Sequence, residues 1–209
     1  MQPYFIPYLG YFRLIAKSDL FVIYDCVQFP RRGWVHRNRV VNRSGAPRWL
    51  TLPLEYATQD VLIRDLRFPT RVSEIFADRL RSFPLHSEEP EVKRFLEVLY
   101  DIKGRPVDYI EELIKETAGY LGLSWNTIRS SGMRIPSSLR GQDRILAIAK
   151  GLGASTYLNA PGGRDLYDAD AFARAGIGLE FLPEYDGPKC SVLTRILCDD
   201  RKLLAAELR

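Results

Sequence analysis

The tract YDCVQFPRRGWVHRNRV, Tyr24 to Val40, gathers the groups most able to do chemistry: the Asp25 carboxylate, the Cys26 thiol, the Gln28 and Asn38 amides, the Trp34 indole, His36 and four arginines. Asp25 sits near the carboxyl end of a predicted buried strand, where open α/β sheets place ligand sites. A carboxylate there can orient and deprotonate an amine or hydroxyl; its structural alternative is a cap, or a partner for Arg37 or Arg39. Cys26 with His36 raises a thiolate–imidazolium pair able to accept an acyl group from a thioester. Against it, strand alternation turns Cys26 away from Asp25, and buried cysteines are commonly inert small hydrophobes. His36 alone, with an unperturbed pKa of ~6.5, suits proton transfer. Arg37, Asn38 and Arg39 read as a clamp for phosphate or carboxylate, with Gln28 as a polar contact and Trp34 as a stacking surface. Internal ion pairs with Asp25 or Asp65 are the competing use of these arginines.

Position favours the clamp. No acidic residue falls between Asp25 and Glu55, while Arg31, Arg32, Arg37, Arg39, Arg43 and Arg48 all do. Such a local field draws anions. A second candidate is NAPGGRDLY, Asn159 to Tyr167, a glycine turn whose Gly162 and Gly163 would let backbone N–H groups approach an anion at a helix N-terminus. It matches neither a dinucleotide fingerprint nor a Walker loop, and a tight turn explains the glycines equally well. Ser137, Ser138, Gln142, Asp143 and Arg144 lead into the next helix, where a capping role is expected.

The elements that must position these groups alternate. Leu20 to Val27 reads as a buried strand after a short helix over Tyr8 to Asp19. WVHRNRVV and RWLTLPL read as a hairpin joined by NRSGAP, with Trp34, His36, Asn38 and Val40 on one face and Val35, Arg37, Arg39 and Val41 on the other. Pro90 and Pro106 suit first-turn positions of two helices. From NTIRSS onward, strands alternate with short helices, which implies βαβ units and parallel pairing. The expectation is one α/β domain over residues 1–209, with a mainly parallel sheet, an N-terminal hairpin element and a helical insertion near 71–122.

The chain has 209 residues, 46% hydrophobic and 27% charged, with net charge +4 and pI about 9.0, ordinary for a globular protein. The sequence shows neither a signal peptide nor a membrane span. Three cysteines without ligand spacing argue for the cytoplasm and against structural zinc; no metal site is expected. The modest charge and the lack of a recognised motif weigh against nucleic acid as a partner.

The opening MQPYFIPYLGYFRLI, then SDLFVIYDCVQF, GWVHRNRV and WLTLPL, resembles the WbqC-like protein family, as do the later SS pairs, DRILAIAKGLGASTYLNAPGGRDLYDADAF and GIGLEFL. The likeness runs from Met1 to about Tyr185. Departures from the family pattern are Cys26 where a second Asp is usual, His36 where an Asn is usual, and a short lead before Gln2. The resemblance implies a role in O-antigen, other surface-polysaccharide or secondary-metabolite assembly. It brings Gln2 and Tyr4 in with the ligand-binding residues and leaves site contact open for Ser137, Ser138, Gln142, Asp143 and Arg144. The activity it implies is transfer of an acyl or aminoacyl group to an amine or hydroxyl of a nucleotide-linked sugar or related small anionic acceptor. A phosphopantetheine or coenzyme A thioester, free or on an acyl or peptidyl carrier protein, is a compatible donor, though no residue requires it. The rival readings are a nucleotidyltransferase-like enzyme and a non-catalytic nucleic-acid or glycan-binding module.

Overall fold

A computed structural model describes residues 1–208. Helix α1, Leu9–Lys17, enters from a proline turn and buries Leu9, Phe12, Leu14 and Ile15. Strand β1, Phe21–Ile23, follows directly, then the hairpin of β2, Arg37–Val41, and β3, Pro47–Thr51. Helices α2 (Val72–Leu80), α3 (Pro90–Tyr100) and α4 (Pro106–Tyr120) come next, the last two starting on their prolines as expected. The remainder is β4 (Thr127–Arg129), α5 (Gly141–Gly151), β5 (Thr156–Asn159), α6 (Ala169–Arg174), β6 (Gly178–Phe181), α7 (Val192–Cys198) and α8 (Arg201–Ala206).

The protein is α/β, with short parallel pairs. The sheet is less continuous than the sequence suggests: β1 pairs with β4 in parallel, β5 with β6 in parallel, and β2 with β3 antiparallel, as three two-stranded units. The strands are short because polar residues take over at their ends. β1 stops at Ile23, beyond which Asp25 turns its carboxylate to the Ser130 and Ser131 hydroxyls. β2 starts at Arg37 rather than Trp34, because the Gly33 N–H closes a turn on the Pro30 carbonyl at 2.8 Å.

That late start corrects the face assignment. Trp34 does not share a face with Asn38 and Val40, which are buried; it lies exposed against Trp49, with ring centroids 5.5 Å apart. Val35, expected on the opposite face from Asn38, is itself fully buried.

A principal core runs from Phe5 to Leu208 and includes Phe76, Phe95 and Leu113 from the three middle helices. The inner faces of those helices supply much of that core. Truncating fully buried Phe76 to Ala would cost about 3–5 kcal/mol. A smaller cluster of Ile145, Ala149, Phe172 and Ile177 packs α5 and α6 over β5 and β6. No helix among the described residues is long and apolar enough to cross a membrane.

Candidate functional site

The parallel pair β1–β4 carries the chemistry at its carboxyl end. Both strands stop after three paired residues, and the segments beyond them meet: Asp25 and Cys26 from one, Ser130 and Ser131 from the other. Asp25 is fully buried. Its Oδ1 accepts from the Ser130 hydroxyl at 3.0 Å and the Ser131 backbone N–H at 2.9 Å, and its Oδ2 accepts from the Ser131 hydroxyl at 2.6 Å. Ser130 Oγ in turn accepts from the backbone N–H groups of Asp25 and Cys26 at 3.1 and 3.3 Å. Every polar atom of this knot has a partner, as a buried ionisable group requires.

Above the knot lies a cleft of about 560 Å³, lined by Tyr24, Cys26, Gln28, Ser130, Ser131 and Met133 among others. Arg64, Arg140 and Arg144 line it too, with Asp60 as the lone carboxylate of the lining. The amino end of α5 faces it: Gly141, at φ +47°, opens the helix, and Arg140 at the N-cap makes no side-chain capping bond. Exposed N–H groups and three guanidiniums converge there, the arrangement that favours an anion.

Arg144 is buried; it donates to the Cys26 carbonyl at 2.6 Å and the Ser137 carbonyl at 3.1 Å, and its Nε has no partner. Arg140 also bonds only to backbone carbonyls, those of Ser137 and Leu139. Burial pushes the Tyr24 phenol up to about 12, with Cys26 adding to the shift and the Arg144 guanidinium opposing it. Tyr24 therefore stays a neutral hydrogen-bonding group at neutral pH.

The expected site residues divide among several places. Asp25, Cys26 and Gln28 belong to the cleft, Asp25 as its sealed floor and Gln28 at the edge, donating to the Gln59 carbonyl at 2.9 Å. His36 lines a separate cavity and shares no hydrogen bond with Cys26, so the two do not form a thiol–imidazole pair. Its imidazole is held well below the usual range, at about 4, by burial first and then by Arg37 and Arg79. Asn38 is buried and occupied by backbone: it donates to the Phe5 and Ile6 carbonyls at 3.1 and 2.7 Å and accepts from the Arg39 N–H at 2.8 Å. That clasp holds Ile6 at φ +38°, a strained conformation for a β-branched residue.

Arg37 and Arg39 sit over the Trp49 ring, 4.4 and 5.1 Å from its centroid, next to exposed Trp34. Neither pairs with Asp25 or Asp65; Asp65 lies 3.6 Å from Arg64 instead. Tyr4 packs on Tyr11, whose hydroxyl donates to the Gln2 carbonyl at 3.0 Å, so both residues brace α1.

Gly162 and Gly163 fall in a short 3-10 turn, Pro161–Leu166. The Gly163 N–H is already bonded to the Ala160 carbonyl at 3.0 Å, and Asn159 Oδ1 accepts from the Ala160 N–H at 2.8 Å. Gly163 is glycine for space, since a Cβ there would lie 2.4 Å from Asn159 Nδ2. The expected serine cap of α5 is absent as well: the helix begins at Gly141, beyond reach of Ser137 and Ser138 as N-caps.

Four contributors, Ser130, Ser131, Arg64 and Arg140, were not among the expected site residues. Ser130 and Ser131 are more than a hundred residues from Asp25, and Arg64 comes from a segment with no strand signal. That segment runs beside the tract through Phe29 N–H to the Val61 carbonyl (2.8 Å), Ile63 N–H to Val27 (2.9 Å) and Arg64 N–H to Asp25 (3.1 Å). The "SS" after NTIR was the available signal for the serines.

Fold and cleft together define an α/β protein with an arginine-lined cleft at the ends of parallel strands. Residues 2–190 match the WbqC-like protein family, and the chain belongs to it. It is similar to the uncharacterized protein Rv1507c of Mycobacterium tuberculosis, with 26% identity over 203 residues, covering 90% of this chain and 81% of that protein. No solved structure matches the chain.

Proposed function

We propose that this protein transfers an acyl or aminoacyl group to an amine or hydroxyl of a nucleotide-linked sugar or related small acceptor, in O-antigen, other surface-polysaccharide or secondary-metabolite assembly. The observation that carries the reading is the cleft in which Arg64, Arg140, Arg144 and the start of α5 surround the Asp25–Ser131 hydrogen bond. Guanidiniums without a carboxylate partner among the described residues, as Arg140 and Arg144 are, keep their charge free for a diphosphate.

With the phosphates held there, an acceptor amine or hydroxyl would lie against Ser131. As its nitrogen or oxygen bonds to the donor carbonyl carbon, its proton passes to Ser131 Oγ while Ser131 passes its own to Asp25 Oδ2. The carbon–sulfur bond of a thioester donor then breaks, and the proton leaves with the thiol. Asp25 is sealed beneath the serines, so it acts as a positioning and proton-holding residue rather than by touching substrate. Cys26 lines the cleft and is the alternative acceptor of the acyl group in a two-step transfer. His36, Arg37 and Arg39 stand outside this reaction. The reading assumes a reducing compartment, the cytoplasm, in keeping with three free cysteines, and a carrier protein or coenzyme A as bearer of the donor.

The test is mass spectrometry of UDP- and dTDP-amino sugars incubated with the protein and a panel of acyl and aminoacyl thioesters. A mass gain on one nucleotide sugar equal to the acyl group, lost in Arg64→Gln/Arg140→Gln, is the expected result. Pyrophosphate release from a nucleoside triphosphate, with no acyl product, would replace this reading with nucleotidyl transfer. One observation favours the binding-module alternative, the exposed Trp34–Trp49 pair flanked by Arg37 and Arg39. Salt-sensitive retention of an oligonucleotide without any transfer would support it.

A further inference from the structure

A second cavity, also of about 560 Å³, shares no lining residue with the arginine cleft. Its volume falls in the range of small-molecule sites, ~300–1,000 Å³. Phe29, Leu52, Leu66 and Ile75 give it an apolar floor and wall. His36 stands in that wall, its ring edge-on to Phe29 with centroids 5.0 Å apart, and its Nδ1 is enclosed with no hydrogen-bond partner.

The polar part of the lining is mainly cationic. Arg79, from α2, donates to the Thr51 carbonyl at 2.6 Å and has no carboxylate partner among the described residues. Arg31 likewise bonds to a carbonyl, that of Ala57. Glu55 is the one acid of the lining, exposed and unpaired among the described residues. Arg37 adjoins His36 along the chain and adds to the positive field on it. The Arg31 and Arg79 guanidiniums are bonded only to neutral carbonyls, so their charge is open to an anion in this cavity.

We propose that this cavity binds a small aliphatic carboxylate, with its tail on Phe29, Leu52, Leu66 and Ile75 and its head between Arg79 and His36. Two guanidiniums at an apolar mouth, with Glu55 beside them, suit a single negative charge better than a dianion. The bound carboxylate would offset the field of Arg37 and Arg79 and accept a hydrogen bond from the imidazole. Binding would therefore be coupled to proton uptake by His36. The site is independent of the transfer reaction and stands whether or not that reaction is correct.

The chain has two histidines, His36 and the exposed His86 beside Glu88, so imidazole NMR separates them cleanly. The experiment titrates octanoate into the labelled protein, with 1-octanol as the uncharged control, and repeats both with Arg79→Gln and Ile75→Glu. The expected result is saturable binding with a rise in the His36 pKa, His86 unmoved, and affinity weakened about tenfold or more for 1-octanol and for either variant. Arg79 and Ile75 are both exposed, and the wild-type measurement stands without either variant. Equal binding of octanol and octanoate, saturation that leaves the His36 resonances and pKa fixed, or no binding up to millimolar octanoate would each overturn the proposal.

Discussion

Replacing Asp25 with Asn tests the knot beneath the cleft at the cost of one atom's identity. The carboxylate accepts three hydrogen bonds, from Ser130 Oγ, Ser131 N–H and Ser131 Oγ. An Asn can keep its oxygen toward Ser130 Oγ and Ser131 N–H, while its amide donates to Ser131 Oγ, which must then turn its own proton away. No bond need be orphaned, but all three lose charge assistance. Hydrogen bonds to charged groups contribute ~1.5–3 kcal/mol and neutral ones ~0.5–1.5, so the loss is roughly 1 kcal/mol per bond, about 3 kcal/mol in all. For a chain of this length that lowers Tm by roughly 6–12 °C. Asp25→Ala should be worse, because the Ser130 hydroxyl and the Ser131 N–H would be left without an acceptor. Urea unfolding followed by circular dichroism measures both. Asp25→Asn within about 0.5 kcal/mol of wild type, or Ala tolerated better than Asn, would refute this reading of the knot.

Two further outcomes rest on the tract around β2. His36 titrates at about 4 in the folded chain against ~6.5 unfolded, so between those values the unfolded state binds more protons and stability rises with pH. Because His36 is only partly buried, the effect is discounted to about 1–2 kcal/mol, lost as pH falls from 6.5 toward 4 and absent from His36→Asn; urea midpoints across that window check it. Asn38→Ala should cost about 3 kcal/mol, since the Phe5 and Ile6 carbonyls and the Arg39 N–H lose their shared partner. Asn38→Asp should cost more, because a carboxylate would face two carbonyl oxygens; thermal melts of the pair decide the order.

Local signals carried five of the helices, but not α2, α7 or α8. Pro90 and Pro106 open α3 and α4, and the apolar spacing within each matches the residues buried in the core, Val92, Phe95, Leu96 and Leu99 in α3 and Ile110, Leu113 and Ile114 in α4. The turn in NRSGAP was also legible, with Asn42 Oδ1 accepting from Ser44 and Ala46 and Gly45 at φ +79°. Asp25 stood out because an acid inside an apolar run needs donors. Which donors those were depended on a pairing across more than a hundred residues, and nothing local encodes that. The seventeen-residue tract looked like one site because its chemistry is dense in sequence. The turn at Pro30–Gly33 breaks that density, leaving Cys26 in one cleft, His36 in another, and Arg37 and Arg39 on an outer face over Trp49. Arginine spacing signalled affinity for anions, but Arg64, Arg140 and Arg144, which line the cleft, come from other segments.

The central claim is that this cleft receives the phosphates of a nucleotide-linked sugar. Thermal unfolding of wild type and Arg64→Gln/Arg140→Gln against UDP- and dTDP-amino sugars tests it most directly. Both replaced residues are arginines of the lining, and neither belongs to the Asp25 knot. At about 100 times its dissociation constant, one such ligand should stabilise the wild type by about 2.7 kcal/mol and leave the double variant almost unmoved at the same concentration. Equal stabilisation of both proteins, or none of the wild type by any nucleotide sugar, would contradict the account.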